Sequence, residues 1–229
     1  MARPYAHRGL HGRFIVENSR AAFEAAIAVG QGIELDVRIS RDGEAMVFHD
    51  ELLDRLTPRT GPVAALSANA LRRVELAGMA ETIPTLKEVL DLIRGRAPLL
   101  IELKASRGKA ALVSKAVADA LRDYEGDAAI MSFNPEVGAW FARNDPQVLR
   151  GLIVSEHGRR GLRGRAERAL SLRRSRAEFL ACDIADLPSS FASAARASGL
   201  PVLTWTVRTE VQKSLAALHA DQIIHELPS

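Results

Sequence analysis

Short apolar runs recur along the chain at 5–6, 33–39, 45–48, 99–103, 128–133, 149–154, 178–182, 201–207 and 221–224. Their lengths suit strands, and the amphipathic stretches between most of them suit helices. Asn18-Ser19 opens one helix, with Phe23, Ala26 and Ile27 at helical spacing and Gly30 as the stop. Thr85-Leu86-Lys87-Glu88 is a capping box that opens a helix running to about Arg94. Asn134-Pro135-Glu136 places a cap, a first-turn proline and an acid near the positive helix end. Gly199 closes a helix after Pro188, and Thr209-Glu210 opens the last one.

Alternating strands and helices predict a parallel sheet covered by helices. A (β/α)8 barrel needs about eight strands, and the pattern offers one more. Only residues 40–44 join the runs 33–39 and 45–48. A parallel crossover needs about a dozen residues or more, so these two runs pair as an antiparallel hairpin with Asp42-Gly43 in the turn. The expected fold is therefore α/β, a (β/α)8 TIM barrel, with an open doubly wound sheet as the runner-up. Residues 51–83 break the rhythm. They are rich in turn residues, and 66–76 reads as a short helix. This is a small insertion after His49-Asp50, over one end of a single domain spanning 1–229, and too small to hold its own core.

The chain has 229 residues and is 47% hydrophobic, which excludes a disordered protein. Its formal net charge is +3, but 159–176, RRGLRGRAERALSLRRSR, carries eight arginines against one glutamate, so the rest is slightly acidic. That stretch reads first as a solvated helix with Leu162, Ala166, Ala169 and Leu170 packing inward. The second reading is a patch that steers anionic substrates or lipid surfaces. No aromatic residues interleave, so stacking on nucleic acid is not expected. Cys182 is the one cysteine, in keeping with a reducing compartment. With no apolar signal segment and no membrane-span run of ~18 residues, the expectation is a cytoplasmic protein.

The chemistry gathers at strand ends. Glu34 and Asp36, at i and i+2, point to one face of their strand while Ile33, Leu35 and Val37 pack the other. Burying two like charges together is costly. Either this is an edge strand with solvated acids, or a hard divalent cation such as Mg2+ or Ca2+ joins them. Glu102 and Lys104 repeat the spacing, as a strand-end salt bridge or as a third ligand beside a phosphate-facing cation. His7 and His49 also end strands, where barrel enzymes place catalytic groups, and two imidazoles can divide base and acid roles. His11, His157 and His219 read as ordinary surface or core residues. With Arg8 as a bidentate phosphate contact, the set points to phosphoryl chemistry on an anionic ester.

The motifs HRG at 7–9, ENS at 17–19, ELD at 34–36, HD at 49–50, ELK at 102–104, SF at 132–133 and WTV at 205–207 resemble, in order, those of the glycerophosphodiester phosphodiesterase family. IPTLKEVL at 83–90 and SFNPEV at 132–137 resemble its segments too. The resemblance implies a TIM barrel with an insertion, a divalent cation, and hydrolysis of a small phosphodiester to glycerol 3-phosphate and an alcohol. It implies Glu34, Asp36 and Glu102 as metal ligands, His7 and His49 as the acid/base pair, Arg8 and Lys104 on phosphate, and Glu17 and Asn18 as support. Phe133 and Trp205 match positions at the mouth, where they either contact the glycerol or alcohol group or simply pack. Val16 and Ser19 depart from the family's usual Pro and Thr. Near the end, 221–228 reads DQIIHELP where the family has Asp-Gly-Ile-Ile-Thr-Asp-x-Pro, and His225 is expected to narrow the mouth or add a polar contact. Asp50, by strand alternation, is expected to support local structure rather than chemistry. Two other functions stay open: a phosphodiesterase acting on lysophospholipids or another phosphodiester, and a non-catalytic phosphate-binding protein on the same fold.

Overall fold

The computed structural model describes residues 3–77, 79–106 and 108–227, so Pro228 of the last motif lies outside it. Nine strands form: β1 (Tyr5–Ala6), β2 (Gly32–Ile39), β3 (Ala45–Val47), β4 (Leu99–Leu103), β5 (Ala128–Ser132), β6 (Leu149–Val154), β7 (Phe179–Asp183), β8 (Val202–Val207) and β9 (Gln222–His225). β1 pairs in parallel with both β2 and β9, which closes an eight-stranded parallel barrel. β3 is the exception, antiparallel on β2 with Val37 opposite Val47. The hairpin argument thus holds, and the open sheet is excluded by the β1–β9 pairing.

Among the described residues eight helices connect or flank the strands: α1 (Arg20–Ala28), α2 (Ala68–Leu71), α3 (Leu86–Ile93), α4 (Ala110–Leu121), α5 (Pro135–Asn144), α6 (Leu162–Ser175), α7 (Ser190–Ala197) and α8 (Glu210–His219). Ser19 caps α1 through Ala22 N, and Thr85 and Thr209 both form capping boxes. The alternation along each strand separates two apolar layers. Ile33, Leu35, Val37, Ile101 and Leu103 face outward against α1, α3 and α4. Leu100, Met131, Ile153, Ala181, Leu203 and Ile224 fill the barrel interior. Glu34, Asp36 and Glu102 share that interior face, and the register sets Asp36 opposite Glu102.

The insertion packs Leu53, Val63, Leu71, Val74 and Ile83 on Met46 and Phe48 of the hairpin region and on Val16, so the cluster leans on residues outside the insertion. The helix expected over 66–76 shrinks to α2. Leu76 N donates to Glu81 O and Glu75 bridges Thr82, so these backbone groups pair across a turn instead of along a helix.

The second correction concerns α6. Leu162, Ala166, Ala169 and Leu170 do not pack inward but are exposed; the buried residues are Gly164, Arg168 and Ser175, with half-buried Leu172 packed on the core beside them. Arg168 donates to Arg159 O at 2.8 Å and pairs with Glu156 at 3.2 Å. A Cβ on Gly164 would lie 1.9 Å from the Arg159 carbonyl oxygen, so only glycine permits this approach. These contacts set the rotation of the helix against the expected apolar face.

Candidate active site

The HRG turn follows β1. Arg8 sits at φ +56°, in the left-handed region, and this aims its backbone N–H at Glu34 Oε2, 2.9 Å away. Gly9 follows at φ +77°, with Ala22 so near that a Cβ would come within 2.8 Å of its backbone. The Arg8 side chain lies 3.2 Å from Asp36 and 2.7 Å from Glu17. Asn18 is buried and clasps Asp36 from both ends: its Nδ2 donates to Oδ2 at 2.9 Å, and its Oδ1 accepts from Asp36 N at 3.2 Å. Glu17 and Asn18 therefore hold the first turn against β2.

Glu34, Asp36 and Glu102 are all buried, with carboxylate oxygens within 4.8 Å of one another. Lys104 Nζ lies 2.6 Å from Glu102 and 3.0 Å from Asp36 Oδ1. The second contact is an ion pair, and Asp36 Oδ1 has no other partner. Burial, followed by repulsion from Asp36 and Glu102, pushes Glu34 well above the usual carboxylate range. Burial and Asp36 push Glu102 up to about 7. Burial opposes ionisation of Asp36 as well, but Lys104 and Arg8 outweigh it and hold Asp36 low. Fully ionised, the three carboxylates would outnumber the two cations beside them, Arg8 and Lys104, and that mismatch adds to burial in raising Glu34 and Glu102. An all-oxygen set of three buried carboxylates that converge on one point fits a hard divalent cation.

Each imidazole rests on a carboxylate. His7 Nδ1 donates to Glu226 Oε1 at 2.5 Å, leaving Nε2 4.0 Å from Glu34. His49 Nδ1 donates to Asp50 Oδ1 at 2.6 Å. These partners fix the tautomer and free Nε2 on both rings. Burial lowers the His49 pKa, against the pull of Asp36 and Asp50, and so favours the neutral imidazole. Arg208 grips Glu226 at 2.6 Å and Arg55 grips Asp50 at 2.6 Å. Burial opposes ionisation of both acids, yet His7 and Arg208 bring Glu226 down to about 2, and Arg55 and His49 bring Asp50 to about 2.

His7, Arg8, Glu34, His49, Glu102 and Lys104 line one cleft of about 360 Å3 at the mouth of the barrel. Phe133 and Trp205 form its opposite wall, edge to face with centroids 5.7 Å apart, and Trp205 Nε1 donates to Ala181 O. All eleven residues singled out from the sequence thus meet in or directly behind this cleft. Two readings change and a third narrows. Asp50 is not merely local support: β3 ends at Val47, so strand alternation no longer governs residues 48–50 and both side chains turn to each other. His225 neither narrows the mouth nor lines it; Ile224 takes the inward position on β9 and His225 is buried on the other side. Of the two readings of His11, surface or core, the structure favours the second: it is half-buried, 3.9 Å from Glu226. Glu226, Arg208 and Arg55 escaped the sequence reading. Their signal was charge beside a strand end, visible only once barrel closure and the insertion are in place.

The chain matches the glycerophosphoryl diester phosphodiesterase family over residues 7–228. It is 39% identical over 111 residues to a glycerophosphodiester phosphodiesterase of Bacillus altitudinis, covering 45% of each protein. It is 36% identical over 140 residues to one from Caldanaerobacter subterraneus, covering 56% of this chain and 57% of that one. These matches span about half the length of the relatives. Among solved structures, a phosphodiesterase of Oleispira antarctica in complex with the product sn-glycerol-3-phosphate superposes with a TM-score of 0.86 at 25% identity, over 98% of this chain and 93% of that one. With a family match across nearly its whole length and the site assembled at the barrel mouth, this chain belongs to the glycerophosphoryl diester phosphodiesterase family.

Proposed function

We propose that this chain hydrolyses glycerophosphodiesters to glycerol 3-phosphate and an alcohol, with Glu34, Asp36 and Glu102 holding a Mg2+ or Ca2+ ion. The observation that carries the reading is one cleft shared by three converging acids, two carboxylate-held imidazoles, Arg8 and Lys104. When bound, the cation supplies neutralising charge for the non-bridging phosphate oxygens. Arg8 and Lys104 add donors to the same group. One imidazole takes a proton at Nε2 from the attacking oxygen, and the other gives one to the leaving oxygen. Phe133 and Trp205 offer an aromatic wall to the alcohol or glycerol part.

The Oleispira antarctica phosphodiesterase, with its bound product, supports glycerol 3-phosphate as the product here. The lysophospholipid reading is weaker. The groove leaving the mouth past Phe133 includes Ala105 and Pro135, but Asn134, Arg159, Arg163, Glu167 and Ser171 make most of its side-chain lining polar, which suits an acyl chain poorly. Release of glycerol 3-phosphate from glycerophosphocholine tests the proposal. Activity is expected to vanish with chelator, return with Mg2+ or Ca2+, and fall in His49→Ala; activity that survives both chelation and that substitution overturns it.

A further inference from the structure

We propose that the outward face of α6 docks on an anionic lipid surface. Leu162, Ala166, Ala169 and Leu170 form a stripe at i, i+4, i+7 and i+8, which is one face of a helix. The fold presents that stripe to solvent: Leu162 is 84% and Leu170 68% exposed, and both alanines are exposed. This orientation is fixed from the inner side, by the Gly164 approach to Arg159 and by the buried Arg168, whose guanidinium also lies over Phe191 at 5.6 Å. The helix therefore cannot roll to hide its leucines without losing those contacts.

The surroundings of the stripe select the partner. Seven exposed arginines flank it at 159, 160, 163, 165, 173, 174 and 176. Among the described residues, Arg165, Arg173 and Arg176 have no carboxylate partner, whereas Arg159 and Arg163 share Glu167, Arg160 pairs with Asp186 and Arg174 with Glu136. A narrow apolar stripe bordered by unpaired arginines matches the boundary between lipid acyl chains and anionic headgroups. A second copy of this chain fits less well, because a two-fold contact would set the same arginines against each other. Nucleic acid would find no aromatic residue in the stripe to stack on. The location adds a functional consequence. Gly158, Arg159 and Arg163 line the groove that contains Phe133, and Phe133 also walls the candidate catalytic cleft. A lipid surface against α6 would lie beside the mouth.

Cosedimentation of the full chain with phosphatidylcholine vesicles, with and without phosphatidylglycerol, tests this. Binding is expected only with phosphatidylglycerol and is expected to weaken as salt rises. Leu162→Glu/Leu170→Glu and Arg165→Ala/Arg173→Ala should each weaken it by at least roughly tenfold, while hydrolysis of a soluble glycerophosphodiester stays at the wild-type rate. None of these four side chains lines the catalytic cleft, so the two readouts separate. Undiminished binding by both double variants, equal binding to neutral vesicles, or no binding at low salt overturns the proposal. So does a dimer in sedimentation equilibrium that Leu162→Glu/Leu170→Glu converts to monomer, which assigns the stripe to a second copy.

Discussion

The two imidazoles of the mouth are held by the same chemistry and by different parts of the chain. His7 leaves β1, donates to Glu226 just past β9, and Glu226 is gripped by Arg208 beyond β8. His49 leaves β3, donates to its neighbour Asp50, and Asp50 is gripped by Arg55 of the insertion. One arm exists because the barrel closes, joining residues at opposite ends of the sequence. The other is local and leans on an appended segment. Side-chain exposures of 11% for His7 and 17% for Glu226, against 29% for His49 and 22% for Asp50, set the closure arm in the drier place. Charge–imidazole coupling is stronger where water screens it less. The insertion arm trades strength for access, and it ties the mouth to a segment with its own small cluster of buried side chains.

Removing either ring is the largest test of this pairing. His7→Ala and His49→Ala should each lower kcat by roughly 10^2- to 10^4-fold, the range for a positioned acid or base. If the arms act as one unit on the same phosphoryl transfer, the double variant loses little beyond the worse single one. Additive losses would show that the arms serve separate steps.

Removing the carboxylates sharpens the contrast. Glu226→Gln and Asp50→Asn keep shape and delete the charge that orients each ring. The expected loss in kcat is roughly 10- to 100-fold for a group that fixes an imidazole, with Glu226→Gln the more damaging because its arm is drier. Equal losses in the two variants would dissolve the distinction drawn from burial.

The same contrast explains what the sequence made legible. Nine apolar runs and a short hairpin link led to the barrel, because strand periodicity and crossover length are local properties. The acids of β2 and β4 were readable because i, i+2 spacing fixes a shared face. Asp50 was misread by extending strand alternation three residues beyond the end of β3 at Val47. Glu226 was hidden for the opposite reason: its partner is 219 positions away, and only the β1–β9 pairing joins them. The outward turn of α6 was likewise invisible, because a buried arginine held by a backbone carbonyl outweighed an ordinary hydrophobic stripe.

Acid should act on the two arms alike. Both carboxylates titrate at about 2 in the folded chain, below the ordinary value near 4. Groups with a depressed folded pKa stabilise the fold above the unfolded value and lose that contribution as pH falls through the folded one. The window is therefore about pH 4 down to about 2. In that window Asp50→Asn and Glu226→Gln should each flatten the slope of stability against pH by up to about one proton, read from denaturant unfolding at stepped pH. An unchanged slope in one variant would mean that its carboxylate is not held low in the folded chain.

Cutting the outer grips gives the smallest effects and the finest discrimination. Both arginines are about half exposed, and ion pairs of that kind contribute within about fivefold in an equilibrium or rate. Their wiring differs. Arg208 reaches Glu226 through both oxygens, with His7 the next group along. Arg55 holds Asp50 and also Glu17, at 2.7 Å and 3.0 Å, and Glu17 is the carboxylate that braces Arg8. Arg208→Ala should therefore lower kcat a few-fold with KM little changed. Arg55→Ala should lower kcat and also raise KM, because a loosened Arg8 meets the phosphate less well. A KM rise as large in Arg208→Ala would show that the insertion has no separate line to the phosphate, and that the two arms differ in burial alone.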